Sequence, residues 1–481
     1  MFWFTSIRCQ LIGFLLLAVL VGCIRRSFGQ SVDAERMNIV LILADDLGFG
    51  DCGFTGSRQI KTPHIDALAQ SGIVCEQGYV SAPVCAPSRA GLLTGRNQPT
   101  FGFDNNLPPS PLQQFNPQHS GLPLNVRTVA DYLGDLGYVS GIIGKWHLGE
   151  AEPFHPLNRG FDEFWGYLGG GHDYFKSKPD SRQSYLRPII CSYKEPGAIS
   201  YLTDDKGSEC VDFIRRHKHE RFFLYASFNA PHGPLQATQE DLELYKDIEN
   251  LPRRTYCAMV HRLDVNVGRI MDELKRQGLE EKTLVVFLSD NGGPIRTTRA
   301  GTVAGIRSNA PFRGSKGILL EGGIHVPFIV SLPGKLPANQ SYPTPVSSLD
   351  LVPTFLEIAG FGKSEKLQFD GVNLVPFLES GEPVERKATL KWRFTISACI
   401  RDGNWKLIRL PDRLPMLFDL DKDQSETTNL AAGNPKLVSD MLRELGEWDV
   451  SCPHPQFLEG DRYRRDQLRL YDVEYNLDQP Q

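Results

Sequence analysis

The stretch NIVLILADD, residues 38–46, carries an unbroken apolar run from Ile39 to Ala44 straight into Asp45 and Asp46. A run without polar alternation suits a strand buried on both faces of a parallel sheet. Its carboxyl end, where the aspartates stand, is where open α/β sheets form ligand clefts. The residues that follow keep the pattern. TPHIDALAQSG (62–72) reads as a helix with Thr62 as N-cap, Pro63 in the first turn and Gly72 as its stop. A helix near 127–136, the strand YVSGIIG (138–144) and a helix near 205–217 come next. The strand RFFLYASF (221–228), a long helix near 253–276 and the strand TLVVFLS (283–289) continue the alternation. Such alternation predicts an α/β fold: a large, mostly parallel sheet flanked by helices on both faces.

After about residue 365 the texture changes. ATLKWRF (388–394), SACIRDGNWKLIRL (397–410) and MLFDL (416–420) read as short strands, with RDGN (401–404) as a hairpin turn and a helix near 434–447. The expectation is a catalytic domain over 36–364 and a smaller α+β domain with an antiparallel sheet over 365–481. No internal repeat or low-complexity tract interrupts this, and the polar stretches 105–120 and 295–310 read as surface loops.

With 481 residues, 41% hydrophobic and 23% charged, the chain has the composition of a soluble globular protein, long enough for one large domain and a smaller one. A net charge of −5 without any Lys/Arg run argues against nucleic acid as a partner. An anionic substrate must therefore meet a local basic site. At the N-terminus, Arg8 precedes LIGFLLLAVLVG (11–22), too short for a comfortable membrane span, and SFG before Gln30 offers small residues for cleavage. Residues 1–29 read as a signal peptide. The rival reading is LVGC (20–23), which resembles a lipobox and would make Cys23 an acylated N-terminus; an uncleaved anchor is the third option. Each implies export, to the periplasm or the medium, with a membrane involved only if Cys23 is lipidated. Export permits disulfides, yet the cysteines beyond Cys9 and Cys23 show no CxxC pair or regular spacing.

Chemistry concentrates in a few segments. In VCAPSRAGLLTG (84–95), Pro87 fits a first helical turn, which places Cys85 at a helix N-terminus whose free N–H groups favour anions. Arg89, four residues on, reaches the same side. A thiol there would be acidic, so a catalytic thiolate is one reading; a buried cysteine in a turn is the other. SDNGG (289–293) places Asp290 and Asn291 after a second apolar strand, equivalent to Asp45 and Asp46. Adjacent carboxylates repel unless a cation lies between them. Four oxygen donors without a histidine favour calcium, or magnesium, over zinc; helix or turn capping is the competing explanation for either pair. Lys145 and His147, two apart on an extended segment, face one side. NAPHGPLQA (229–237) puts His232 past another strand, and FRGSKGILLEGG (312–323) supplies Lys316.

CAPSRAGLLTG (85–95) matches the pattern Cys-x-Pro-Ser-Arg-x-x-x-Leu-Thr-Gly, and GYVSGIIGKWHLG (137–149) a second signature of the same family. The chain resembles the formylglycine-dependent sulfatases of the alkaline-phosphatase-like superfamily, with five segments in the family's order. The resemblance implies that a formylglycine-generating enzyme oxidises Cys85 to an aldehyde (3-oxoalanine), whose hydrate attacks sulfur. It implies calcium held by Asp45, Asp46, Asp290, Asn291 and residue 85. Arg89 would hold the hydrate, Lys145 and Lys316 the sulfate. His147 would steady the hydrate and accept its proton, and His232 would serve the leaving oxygen. The segment FHPLNRGFDEFWGYLGGGHDYF (154–175) and PHGPLQA resemble sulfatases of galactose or N-acetylgalactosamine esters. His172 and Asp173 on its Gly-rich loop are candidate sugar ligands; a solvated loop is the competing reading. The substrate expected is a sulfated carbohydrate. The alternatives are a general arylsulfatase, a phosphodiesterase or phosphonate hydrolase of the same superfamily, and a non-catalytic carbohydrate-binding relative. The last is disfavoured because every catalytic position is present.

Overall fold

The computed structural model describes residues 37–474 apart from 108–119, 179–185, 295, 299–300, 304–305, 363–366, 387, 412 and 459–460. The leader with Cys23 and most of the stretch 105–120 lie outside the described residues.

The apolar run after Met37 forms β1 (Asn38–Ala44), buried along its whole length. Its alternate residues serve two cores. Ile39, Leu41 and Leu43 pack on one face of the sheet, Val40, Ile42 and Ala44 on the other. That is why the sequence shows no polar alternation there. The sheet has nine strands: β1, β2 (Ile73–Cys75), β3 (Val139–Lys145), β4 (Glu163–Tyr167), β5 (Ile190–Cys191), β6 (Phe222–Ser227), β7 (Thr283–Ser289), β8 (Phe328–Ser331) and β9 (Gln340–Tyr342). They run in the order β9-β2-β8-β7-β1-β6-β3-β4-β5. β7, β1, β6, β3 and β4 are parallel to one another, and β5 and β8 join antiparallel, so the sheet is mixed and mostly parallel as expected. The short outer strands carry too few residues to show a period, and sequence reasoning did not place them.

Helices cover both faces. α1 (Pro63–Gln70), α4 (Leu202–His217) and α5 (Leu251–Arg276) bury Ile65, Phe213 and Leu263 in one core. α2 (Cys85–Thr94), α3 (Val129–Asp135) and α6 (Leu351–Ile358) bury Leu93, Leu133 and Phe355 in the other. Thr62 is the N-cap residue of α1, as expected, but its side chain makes no capping bond; its hydroxyl instead accepts from the Gly53 N–H at 2.8 Å and meets Asp66 at 3.0 Å.

Towards the C-terminus, β10 (Leu390–Phe394), β11 (Ser397–Asp402), β12 (Trp405–Arg409) and β13 (Met416–Asp419) form an antiparallel sheet in chain order, the β11–β12 turn closing at Gly403 with φ +57°. α7 (Pro435–Ser451) lays Met441 and Leu445 against Ala398, Ile400, Leu407 and Leu417. The opposite face, with Trp392, Cys399, Ile408 and Phe418, belongs to the main core, and residues from 37 onward form one compact unit. All eight cysteines of the described residues are free. Among the described residues no helix is long and apolar enough to cross a membrane.

A buried charge cluster joins this sheet to the main body. Lys406 Nζ lies 2.8 Å from both Glu321 Oε1 and Glu426 Oε1, and the Glu321 N–H donates to Glu426 Oε2 at 2.6 Å. Burial pushes the Glu426 carboxyl up to about 7, with Glu321 adding to the rise against Lys406. A carboxyl raised on folding binds its proton more tightly in the native state. Its contribution to stability is therefore present below its ordinary value of 4.5 and lost as pH rises through about 7. We expect the melting temperature of Glu426→Gln relative to the parent to rise between pH 5 and pH 8, read by thermal denaturation across that range. A difference that stays constant with pH would show that Glu426 does not titrate on folding.

Candidate active site

The parallel strands end at one level. Leu43 pairs with Ser227, Ala44 with Ser289 and Gly144 with Ser227. The residues just past β1, β3, β6 and β7 therefore emerge together at the carboxyl edge of the sheet. Those residues are Asp45 and Asp46, Trp146 and His147, the segment to His232, and Asp290 with Asn291. A Cβ at Gly144 would lie 1.8 Å from the Ser227 carbonyl, so only glycine lets β3 and β6 close at this level.

α2 points its N-terminus at the same edge. Cys85 is the first helical residue, with Val84 as N-cap, so it sits inside the first turn rather than ahead of it. Its thiol lies 2.9 Å from Lys316 Nζ and 3.5 Å from Asp45 Oδ1. Arg89, one turn on, donates through Nε and Nη2 to Asp290 Oδ2 at 2.9 and 2.8 Å. Its Nη1 reaches Ser227 Oγ at 2.6 Å and the Lys145 carbonyl at 3.2 Å. Lys145 Nζ donates to Asp45 Oδ2 at 2.7 Å, and Lys316 Nζ to Asp46 Oδ1 at 2.6 Å. His232 Nε2 stands 3.7 Å from Asp46 Oδ2. The structure thus brings together Asp45, Asp46, Cys85, Arg89, Lys145, His147, His232, Asp290, Asn291 and Lys316 from six separated segments.

Two of them adopt left-handed backbone, Asp46 at φ +67° and His147 at φ +63°. Non-glycine residues hold such angles only where their surroundings over-determine them. The Asp46 N–H is tied to Asp290 Oδ1 at 3.2 Å, the His147 N–H to the Leu168 carbonyl at 3.0 Å. His147 thus turns into the site from a bend and not from the extended segment the sequence suggested. A Cβ at Gly170 would come 2.9 Å from its Nε2.

Electrostatics divides these groups sharply. Burial opposes ionisation of Asp45, yet Lys145, His232, Arg89 and Lys316 hold its carboxyl well below the ordinary range. Burial pushes Asp290 up to about 6, with Asp45 and Asp46 adding to it against Arg89 and Lys145. Burial also pushes the Cys85 thiol up to about 12, despite Lys145 and Lys316. An acidic thiol, expected from the helix N-terminus, is therefore not what the burial produces. Burial, with Lys145 and Arg89 close by, keeps the His147 imidazole well below its usual value and hence neutral.

The donor set suits a hard cation. Side-chain atoms of Asp45, Asp46, Cys85 and His232 lie within 4.8 Å of one another. Asn291 donates its amide to Asp46 Oδ1 at 2.8 Å, which leaves its own Oδ1 buried without a partner. Buried acceptors are rarely left unsatisfied, and a free amide oxygen on a residue beside a carboxylate cluster is a donor atom that a hard cation can use.

His172 and Asp173 are placed differently. His172 is fully buried, with Nδ1 and Nε2 against the carbonyls of Asp173 and Ser177 at 2.5 and 3.3 Å. Asp173 accepts from the Phe175 N–H at 2.8 Å and from Gln236 at 3.2 Å. His172 is occupied within its own loop, and Asp173 between that loop and Gln236 of the segment that carries His232. Ser227 and Lys206 escaped sequence reasoning. Lys206 lies buried in α4 with Nζ 2.7 Å from Asn229 Oδ1, in the segment that leads to His232. Burial, with Arg89 and Lys145 nearby, pushes its ammonium well below the ordinary lysine range. In sequence it is one lysine in a polar helix, LTDDKGSEC (202–210), and nothing local marks it.

A mixed sheet with an acidic pair at the end of its central strand, and basic side chains closing over a helix N-terminus, defines an ester hydrolase of the alkaline-phosphatase-like superfamily. The sequence profile of the family described as Sulfatase matches residues 37–361, and that of N-sulphoglucosamine sulphohydrolase, C-terminal, matches 315–448. N-acetylgalactosamine-6-sulfatase of Homo sapiens is 34% identical over 370 residues, 74% of this chain and 69% of that one. Arylsulfatase J of Mus musculus is 30% identical over 480 residues, 87% of this chain and 76% of that one. The crystal structure of Ps i-CgsB superposes with a TM-score of 0.82 at 34% identity, covering 92% of this chain and all of that one. The chain belongs to the sulfatase family and is a sulfuric ester hydrolase.

Removing Arg89 tests how far the buried pairs support the fold. Arg89→Ala strands Asp290 without its guanidinium, and loss of one partner of a buried pair costs roughly 3–5 kcal/mol. Urea unfolding should show a stability loss of that order. A loss under about 1 kcal/mol would mean that the remaining groups compensate for the guanidinium.

Proposed function

We propose that the protein removes sulfate from a sulfated carbohydrate of galactose or N-acetylgalactosamine type, with residue 85 working as a formylglycine hydrate. The observation that carries this is the state of Cys85. Its thiol sits in the first turn of α2 against Lys316 Nζ, yet burial pushes it up to about 12, so it supplies almost no thiolate at neutral pH. An aldehyde hydrate at that position supplies an attacking hydroxyl, and its second hydroxyl allows sulfate to be expelled again. Asp45, Asp46, Asp290, Asn291 and residue 85 would hold a calcium ion, with magnesium as the alternative. The ion would supply fixed positive charge beside the sulfate.

The chain's own residues do the rest. Lys316, which Asp46 and its neighbours keep charged although burial opposes it, faces the sulfate from one side, and Lys145 from another. Arg89 is fixed by Asp290 and Ser227, so it orients residue 85 without needing to move. His147, neutral and with Nδ1 unpartnered, is ready to accept a proton. His232 Nδ1 lies 2.6 Å from the Gly233 carbonyl, which can only accept, so the Nδ1 proton is used there. Donation to a leaving oxygen then falls to Nε2 and needs the imidazolium form.

Relatives support the sugar. N-acetylgalactosamine-6-sulfatases of Homo sapiens and Canis lupus familiaris are 34% and 33% identical, and Ps i-CgsB in complex with k-i-k-neocarrahexaose superposes with a TM-score of 0.81. Maturation would need a formylglycine-generating enzyme, and the leader 1–29 would send the protein to the periplasm or beyond, lipid-anchored if Cys23 is acylated.

The decisive experiment is desulfation of defined sulfated galactose and N-acetylgalactosamine oligosaccharides, with the intact mass of the same preparation. Sugar sulfate should be released, the mass should show the aldehyde at position 85, and Cys85→Ser should fold but turn over almost nothing. Active protein with an unmodified cysteine would overturn the nucleophile, and turnover confined to aryl sulfates would overturn the sugar.

The leaving group separates His232 from the cations. A sugar alkoxide departs poorly and nitrophenolate readily, so His232→Ala should lose much more rate on a sugar sulfate than on 4-nitrophenyl sulfate. Lys316→Ala should lose about equally on both, because both share the sulfate. Single-turnover rates read the chemical step directly. Equal losses for His232→Ala would leave it a binding residue.

A further inference from the structure

Among the described residues, one cation at the border of the site, Arg307, has no carboxylate within ion-pair distance. Arg307 stands over two of the loops that build the centre: a Cβ at Gly293 would lie 3.1 Å from its Cβ and 3.1 Å from the Gly48 Cα. Its flanks are pinned. The Ser308 N–H donates to Asp51 Oδ2 at 2.8 Å, and the Asn309 amide to the Gly293 carbonyl at 2.8 Å. The guanidinium lies 5.0 Å from the Tyr256 ring centre, and Nη2 makes one long contact, 3.4 Å, to the Pro231 carbonyl next to His232. Nε has no hydrogen-bond partner.

Neighbouring carboxylates are engaged elsewhere. Asp51 pairs with Arg253 at 2.9 Å and Asp46 with Lys316 at 2.6 Å, and no carboxylate of the described residues comes within ion-pair distance of Arg307. A half-buried guanidinium is always charged, and it holds a carboxylate or a sulfate through paired N–H donors better than it holds a lone carbonyl. Its position beside Pro231 and His232 puts that capacity where the leaving alcohol would sit.

We propose that Arg307 binds a second anionic group of the substrate, a carboxylate or a further sulfate on the alcohol being released, and so selects substrates with more than one negative charge. This rests on the reading of His232 as the residue next to the leaving oxygen. Tyr256 keeps the guanidinium in place from behind, leaving its Nη atoms for the ligand.

The test compares matched substrates. One pair is 4-nitrophenyl sulfate and 3-carboxy-4-nitrophenyl sulfate; the other is a galactose disaccharide carrying one or two sulfates. The ratio of kcat/KM for the doubly charged over the singly charged member should fall about 10–100-fold in Arg307→Ala, as expected for a lost charge-assisted hydrogen bond, and the fall should lie mainly in KM. Arg307→Lys, which keeps the charge without the fork, should recover part of it. The aryl pair reports a carboxylate and the sugar pair a sulfate, so the two arms tell which anion is read. A ratio unchanged in both arms, in Arg307→Ala and in the milder Arg307→Gln, overturns the proposal. If the parent enzyme hydrolyses only the aryl esters, the sugar assignment falls while the aryl pair still decides the role of Arg307.

Discussion

Three buried carboxylates meeting three buried or half-buried cations at the end of one sheet are the constraint around which the rest of the structure is arranged. Asp45, Asp46 and Asp290 are almost inaccessible to water, as are Arg89 and Lys145. Ions removed from water cost several kcal/mol each unless partners of good geometry surround them. The partners come from segments more than two hundred residues apart, Asp46 from Lys316 and Arg89 from Asp290. The cluster is therefore stable only when β1, β3, β7, α2 and the Lys316 loop are all in place. Burial, with Asp45 and Asp46 close by, also leaves Asp290 with a raised affinity for protons.

The same constraint explains the local strain. Asp46 and His147 leave their strands in left-handed conformations, each held by a backbone hydrogen bond to a neighbouring segment. A relaxed backbone at either position would swing the side chain away from the cluster. Glycines at 144 and 170 leave room for this close approach, the first for backbone and the second for the His147 ring.

The C-terminal sheet supports the cluster from behind. Glu321, held by Lys406 and Glu426, starts the turn whose Gly322 N–H donates to the Arg313 carbonyl at 2.7 Å. Arg313 Nη1 in turn donates to the Glu426 carbonyl at 3.1 Å. The Gly317 N–H, one residue past Lys316, donates to the Pro83 carbonyl at 2.9 Å, just ahead of Cys85. The small sheet thereby fixes the loop that brings Lys316 to residue 85. Residues from 37 onward accordingly form one compact unit, the small sheet sharing one of the two main cores through Trp392, Cys399, Ile408 and Phe418.

Much of this was legible beforehand because it is local. Unbroken apolar runs mark strands buried on both faces, and the residues just past them, Asp45, Asp290 and His232, mark the edge where a cleft opens. The segments around Cys85 and Lys145 carried enough fixed spacing to suggest the chemistry. What sequence could not supply is whatever depends on burial and on partners far along the chain. The Cys85 thiol was expected to be acidic from its helix N-terminus, but its surroundings exclude water and raise it instead. His172 and Asp173, promising on a glycine-rich loop, turn inward to satisfy backbone groups. Lys206 carries no local signal and is buried against Asn229 of the segment leading to His232, while Arg307, in a stretch that reads as a surface loop, stands beside Pro231 at the border of the site. Side-chain type and spacing determine which chemistry is available; only the folded chain sets each group's distance from water and from its partners, and so its charge and reach.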